Sequence, residues 1–269
     1  MNYKLLFPTY RNRYLFIKQQ LARLPRPAKA LNLGTGEGDY DAMIASYCDQ
    51  LIACDINEGD VNYARQLNSD VANLHYRVEN ALALSFADNT FDLIISVDVI
   101  EHVGDPAQMV AEIQRVLKPG GVALITFPSL DYPLTYDPVN RVLSLLGKNK
   151  IPQGAYAFGH EYLIDPAEFR NWLQQYQLQT LQENKLSGYL IALLEAYWTG
   201  WIQRIFKANA TNVSAQTARS MVLRPSRKEP WLCLLTDGLI RLDRLLFGYF
   251  KASVGKGFVL KKLTNHSKA

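Results

Sequence analysis

The chain has few cysteines: Cys48, Cys54 and Cys233 are the three among 269 residues, and no two are spaced as CxxC. That argues against a disulfide framework and a cysteine-built zinc site, and it suits a reducing compartment. An uninterrupted apolar run able to span a bilayer, which takes about 20 residues, is also missing. The two most apolar stretches are 186–206 and 231–250. Glu195 and Arg204 interrupt the first; Asp237, Arg241, Asp243 and Arg244 interrupt the second. Near the N-terminus, Pro8, Arg11 and Arg13 stand where an export signal needs a continuous apolar segment, so a cytoplasmic location is expected. Charge is unevenly spread. Residues 1–184 carry 15 basic and 21 acidic side chains, a balance of −6, whereas residues 185–269 carry 14 and 4, a balance of +10. A basic C-terminal third is either a solvated face or one that meets an anionic partner.

What is present is concentrated between residues 31 and 55. An apolar run enters a turn with Gly34, Gly36 and Gly38, a helical segment follows over 39–48, and a second apolar run ends on Asp55. Glycines suit a tight turn whose backbone a ligand approaches closely. An acid closing the second strand is placed to accept hydrogen bonds from two ribose hydroxyls. The dinucleotide fingerprint wants glycine at the sixth position of the turn, and here that position is Asp39. A carboxylate there opposes a pyrophosphate. An acidic turn (Glu37, Asp39, Asp41) better suits a nucleoside carrying a cationic sulfonium. The alternative is a purely structural glycine turn of another α/β protein.

The rest of the chain alternates in the same rhythm. A helix is predicted over 10–24, stopped by Pro25 and Pro27, and another over 61–67. Strands are predicted over 74–78, 93–97 and 122–127, with a helix over 106–117 ended by Lys118-Pro119-Gly120-Gly121. Further on come a helix over 138–146, a helix over 166–176 opened by Asp165, and strands over 178–184 and 257–263. Continuous apolar strands between amphipathic helices specify an α/β fold with a Rossmann-like doubly wound, mostly parallel sheet. Ligands of such sheets lie at the carboxyl ends of the strands, where Gly34, Asp55, Asn80 and Val97 converge.

Five segments in register carry a resemblance: Leu-Gly-Thr-Gly-Glu-Gly at 33–38, Asp55, the stretch 80–92, Ser-Val-Asp-Val-Ile-Glu-His-Val at 96–103 and Val-Leu-Lys-Pro-Gly-Gly at 116–121. Together they resemble the class I S-adenosylmethionine-dependent methyltransferases of the ubiquinone/menaquinone-biosynthesis-like branch. The resemblance implies a seven-stranded sheet of the methyltransferase type, with a helical insertion before an antiparallel last strand. It divides the chain into an N-terminal helical arm (1–27), a cofactor-binding core (28–184), an amphipathic helical cap or insertion (185–256) and the last strand with its tail (257–269).

Carried over by position, the resemblance implies S-adenosyl-L-methionine as cofactor. Gly34, Thr35 and Gly36 would line its methionine part, Gly38 would complete the cofactor-binding turn, and Asp55 would hold the ribose. Ile56 and Ala81 would flank the adenine, Asn80 would bond its amino group, and Val97 and Asp98 would lie beneath the sulfonium. Two positions depart from the family, Asn32 and Asn80, both of which usually hold Asp. The reaction implied is direct displacement at a methyl carbon, which needs alignment and exclusion of water, and a base only when the acceptor atom is protonated. His102 and His160 are the candidate catalytic bases. His102 equally fits a brace for its loop, and His160 a satisfied loop residue. Asp98, Glu101 and His102 also resemble an acidic-acidic-His metal cluster of related O-methyltransferases. The segment Ile-Glu-His-Val occurs in members without a metal, so no metal is expected.

The least generic part is 186–253, two aromatic amphipathic segments joined by a polar basic stretch over 207–230. Three readings are open: a helical cap on the sheet, an interfacial anchor that touches an anionic membrane peripherally from its inner face, or a homodimer interface. A cap or an anchor favours a small hydrophobic or lipid-like methyl acceptor, with O- or C-methylation. No nucleic acid is expected, for no stacking platform accompanies the basic end. The alternatives are a non-catalytic cofactor-binding or regulatory protein, or a nucleotide-cofactor oxidoreductase.

Overall fold

A computed structural model describes residues 2–130, 138–149, 163–192, 194 and 226–264. Its strands are β1 (Lys29–Leu33), β2 (Gln50–Asp55), β3 (Leu74–Val78), β4 (Phe91–Val97), β5 (Leu117–Pro128), β6 (Leu178–Lys185) and β7 (Gly255–Lys262). They form one sheet in the order β3-β2-β1-β4-β5-β7-β6. The pairs from β3 to β5 are parallel, and β7 runs antiparallel to both β5 and β6. The chain builds outward from β1 to β3, then returns to lay β4 on the other side of β1. That reversal opens a crevice at the carboxyl ends of β1 and β4.

The helices are α1 (Pro8–Leu21), α2 (Asp41–Ala45), α3 (Glu58–Leu67), α4 (Pro106–Val116), α5 (Pro138–Leu145), α6 (Pro166–Gln175) and α7 (Cys233–Phe247). Local chemistry sets several starts. Asn57 accepts from the amides of Gly59 and Asp60 at the head of α3, Asp105 from Gln108 at α4, and Asp165 from Ala167 at α6. Two apolar clusters cover the two faces of the sheet. On one, Leu31, Ile94 and Phe127 pack with Ile113 of α4 and Phe169 of α6. On the other, Leu51, Ile95 and Leu124 pack with Phe16 and Ile17 of α1 and Ile44 of α2. The arm expected over 1–27 is therefore a layer of the core. β6 is one edge of the sheet, opposite β3, and its polar run Gln-Thr-Leu-Gln-Glu-Asn-Lys suits that place.

Two predicted boundaries move for local reasons. The helix expected from residue 39 begins at Asp41, because Gly34, Gly36 and Gly38 all have positive φ and residues 36–40 are turn. The Lys-Pro-Gly-Gly segment does not cap α4. Leu117 is already extended, and the β4–β5 pairing jumps from Phe91↔Leu117 to Leu93↔Val122, so residues 118–121 form a bulge leading into the strand. Lys118 Nζ sits 2.7 Å from Asp92 Oδ1 across it. Among the described residues no helix is long and apolar enough to cross a membrane.

Candidate active site

The crevice is built by the turn after β1. The amides of Gly34 and Thr35 donate to the Cys54 carbonyl at 2.8 and 2.9 Å, tying the turn to the end of β2. The three glycines differ in what surrounds them. A Cβ on Gly34 (φ +79°) would lie 2.2 Å from Val99 Cγ2, and one on Gly38 (φ +84°) 2.8 Å from Ala64 Cβ. Gly36 (φ +53°) has nothing within 4 Å of its Cβ position. The outer two serve packing, and the middle one faces open space. Its amide donates to Asp55 Oδ2 at 2.9 Å, while Asp55 Oδ1 accepts from Asn57 at 3.0 Å. Each carboxylate oxygen keeps one lone pair for a further donor. Ile56 is exposed next to it. Asn80 is also exposed, Ala81 is half-buried, and Asn80 Oδ1 accepts from the Leu82 amide at 2.9 Å. A nucleoside with its ribose on Asp55 and its base beside Ile56 and Ala81 fits this cradle, so the residues present suit S-adenosyl-L-methionine.

The acids of the turn do not face the crevice as free charge. Lys4, ahead of α1, places Nζ 2.7 Å from Asp39 Oδ2 and 3.5 Å from Glu37 Oε2, and Asn2 donates to Asp39 Oδ1 at 3.2 Å. Asp41 turns inward and is fully buried. It accepts from Asn32 Nδ2, Thr35 Oγ1 and the Tyr76 hydroxyl, each at 2.7 Å. Burial pushes its carboxyl pKa up, and these three donors hold the rise back. An aspartate at position 32 would put a second carboxylate against Asp41. The asparagine there supplies a donor instead.

The floor under the other side of the crevice is also charged. Asp98 follows β4 with φ +53°; it accepts from Thr126 Oγ1 at 2.8 Å and forms an ion pair with the Arg13 guanidinium. Arg13 comes from α1 and is itself buried. Its guanidinium also closes on Gly255, where a Cβ would lie 2.9 Å from Nη2. Glu101 beneath is fully buried, and burial first, then Asp98, pushes its carboxyl pKa well above the usual range. His102 keeps a partly exposed side chain, with Nε2 4.0 Å from Glu101 Oε1. Val97 ends β4 beside the turn. Among the described residues no group of three or more His, Cys, Asp or Glu is arranged to hold a metal. His160 lies outside the described residues.

The structure thus gathers Gly34, Thr35, Gly36, Asp55, Ile56, Asn80, Ala81, Val97, Asp98 and His102 at one sheet edge. Sequence reasoning missed Lys4 and Arg13, and it took Asp41 for a charge facing the ligand. Three acids in a glycine turn next to a basic N-terminal helix were the signal available for the first two.

A doubly wound sheet with an acid-closed glycine turn at its switch point defines a nucleoside-binding α/β protein. Residues 31–125 match the methyltransferase domain family. Over these residues the chain is similar to class I S-adenosylmethionine-dependent methyltransferases, including those of ubiquinone and menaquinone biosynthesis. A probable S-adenosylmethionine-dependent methyltransferase of Mycolicibacterium smegmatis is 32% identical over 47% of this chain and 47% of its own length. A ubiquinone/menaquinone biosynthesis C-methyltransferase of Haemophilus ducreyi is 29% identical over 63% of this chain and 71% of its own. The match thus spans about half the length of the first relative and under three quarters of the second. Among solved structures, phosphoethanolamine N-methyltransferase 2 of Haemonchus contortus shares the fold at TM-score 0.58 and 19% identity, over 94% of this chain and 53% of that one.

Proposed function

We propose that this chain transfers a methyl group from S-adenosyl-L-methionine to a small lipid-like acceptor, at carbon or oxygen. The observation that carries the reading is the contrast within the glycine turn. Gly34 and Gly38 are packed, whereas Gly36 opens onto space beside Asp55. Relatives in quinone biosynthesis support a lipophilic acceptor. Bound there, the cofactor supplies a methyl group already activated on a sulfonium.

The chain's own residues do the rest. Asp55 orients the ribose, and the Gly36 amide fixes that carboxylate. Ile56 and Ala81 give the base an apolar seat. Val97 and Asp98 form the floor under the reacting centre, and Arg13 keeps Asp98 in place. Alignment of this kind is the main source of rate for a displacement with so good a leaving group. When the acceptor atom carries a proton, His102 is the described side chain able to take it, since its imidazole remains accessible at the crevice edge.

The test has two stages. Calorimetry with S-adenosylhomocysteine reads cofactor binding, and transfer of a labelled methyl group to an isoprenoid quinol in detergent reads activity. Binding without transfer to any quinol or other lipophile would leave a non-catalytic cofactor-binding protein. Failure to bind S-adenosylhomocysteine, together with a thermal shift from NADH, would replace the reading with the oxidoreductase one.

A further inference from the structure

Helix α7 is attached to the body by its polar side. Cys233, Thr236, Ile240 and Asp243 are its buried residues, one helical face at spacings of three and four. The attachment is largely hydrogen-bonded and ionic. Arg11 of α1 places Nε 2.8 Å from Asp237 Oδ1 and Nη2 3.0 Å from Oδ2, with Nη1 2.8 Å from Glu229. Thr236 Oγ1 donates to the Leu6 carbonyl at 3.2 Å, and Asp243 accepts from the amides of Gly188 and Leu190 at 2.6 and 2.9 Å. These contacts fix the rotation of the helix about its axis.

The opposite face is apolar and points away from the body. Trp231 is 72% exposed, Leu235 71%, Leu245 73% and Tyr249 95%; Leu234, Leu242 and Leu246 are exposed with them. A soluble helix ordinarily buries this stripe, and monomeric proteins leave apolar patches of about 300–600 Å² at most. Beside the stripe stand Arg241 and Arg244, exposed guanidiniums that form no ion pair among the described residues, with exposed Lys251 just beyond the helix. This third of the chain carries 14 basic and 4 acidic side chains. An apolar stripe of Trp, Leu and Tyr flanked by exposed arginines is complementary to one kind of surface, acyl chains beneath negative headgroups.

We propose that the outward face of α7 docks on an anionic lipid bilayer. The inference deepens the lipid-like acceptor reading and rests on it only for its biological use. Arg11 and Arg13 extend from α1 in different directions, the first to α7 and the second to Asp98. The helix that carries the docking face and the Asp98 floor of the crevice are therefore anchored on the same helix, α1. Trp231 and Tyr249 mark the two ends of the stripe, where amphipathic rings sit at the headgroup level.

The experiment is sedimentation of the full chain with phosphatidylcholine vesicles, with and without phosphatidylglycerol. The native chain sediments with the anionic vesicles, and the bound fraction falls as salt rises. Leu235→Ser with Leu245→Ser lowers partitioning at least tenfold, since both side chains lose their favourable burial among acyl chains. Arg241→Gln with Arg244→Gln removes the preference for anionic vesicles. The variants replace exposed residues, so their melting temperature and S-adenosylhomocysteine affinity match the native chain. No sedimentation overturns the proposal, and so does sedimentation unchanged by both variant pairs. A native dimer dissociated by the leucine pair, without vesicle binding, would assign the face to a second copy. Cofactor affinity and methyl transfer to a detergent-dispersed acceptor are read separately, so failure of docking and failure of the methyltransferase reading cannot be confused.

Discussion

The buried Arg13 guanidinium and Asp98 form an ion pair that joins the first helix to the turn after β4. The pair fixes a left-handed residue at the floor of the crevice, a conformation costly to any side chain but glycine and least so to Asn and Asp. Arg13→Ala removes the cation and leaves two carboxyls, Asp98 and Glu101, facing each other. Removing one partner of a fully buried pair costs about 3–5 kcal/mol. Because Asp98 is partly exposed, about 2–3 kcal/mol is expected here, read as a lower urea midpoint. S-adenosylhomocysteine affinity falls with it. Arg13→Lys keeps the charge without the planar fork and restores only part of either.

The Asp41 network gives a second test. Tyr76→Phe deletes one of three donors to a fully buried carboxylate and lowers stability by about 1–3 kcal/mol. Asn32→Asp replaces a donor by a second acid at the same distance. That variant is destabilised at neutral pH and recovers in acid, as one of the two carboxyls takes a proton. Thermal melts across pH distinguish the two variants.

Gly36 separates folding from binding. Gly36→Ala meets no neighbour and carries only the strain of positive φ, about 1–2 kcal/mol. Its methyl group occupies the space assigned to the cofactor, so calorimetry shows at least a tenfold loss of S-adenosylhomocysteine affinity in a chain that still folds. Asp55→Ala loses charge-assisted hydrogen bonds worth about 1.5–3 kcal/mol, some ten- to hundredfold in affinity.

Glu101 makes stability depend on pH in a predictable direction. Burial raises its folded-state pKa, so between the ordinary value of 4.5 and that raised value the folded state holds a proton the unfolded state has released. The contribution to stability is full below the ordinary value and is lost as pH rises through the folded one. Asp92, Glu112 and Glu229, whose pKa values are lowered by Lys118, Arg115 and Arg11 against the opposing effect of burial, act in the opposite sense. Subtracting the Glu101→Gln profile from the native one isolates the Glu101 slope. A flat difference would mean that Glu101 titrates alike in both states.

Much of this architecture can be read in the sequence because its signals are local. The run 93–97 is apolar at almost every position because β4 is covered on both faces, and Asp165-Pro166 announces α6 on its own. The glycine turn and Asp55 are equally plain. The partners of Lys4 and Arg13 are not, since they depend on where a distant helix comes to rest. Nor does sequence say that Asp41 turns inward, for that follows from three donors on three separate elements. With α7, periodicity gives the apolar stripe correctly, and the fold turns that stripe outward. A pattern of spacing names two faces without saying which one the protein keeps for itself.

The last strand has a bearing on how the sheet is assembled. β7 lies between β5 and β6 and pairs with both, so neither of those edges can close before residues 255–262 exist. A growing chain must carry β5 with one open ladder through the synthesis of more than a hundred further residues. Truncation just ahead of Gly255 would therefore leave β5 with an open ladder and β6 without a strand to pair with, an aggregation-prone molecule and not a slightly shortened one.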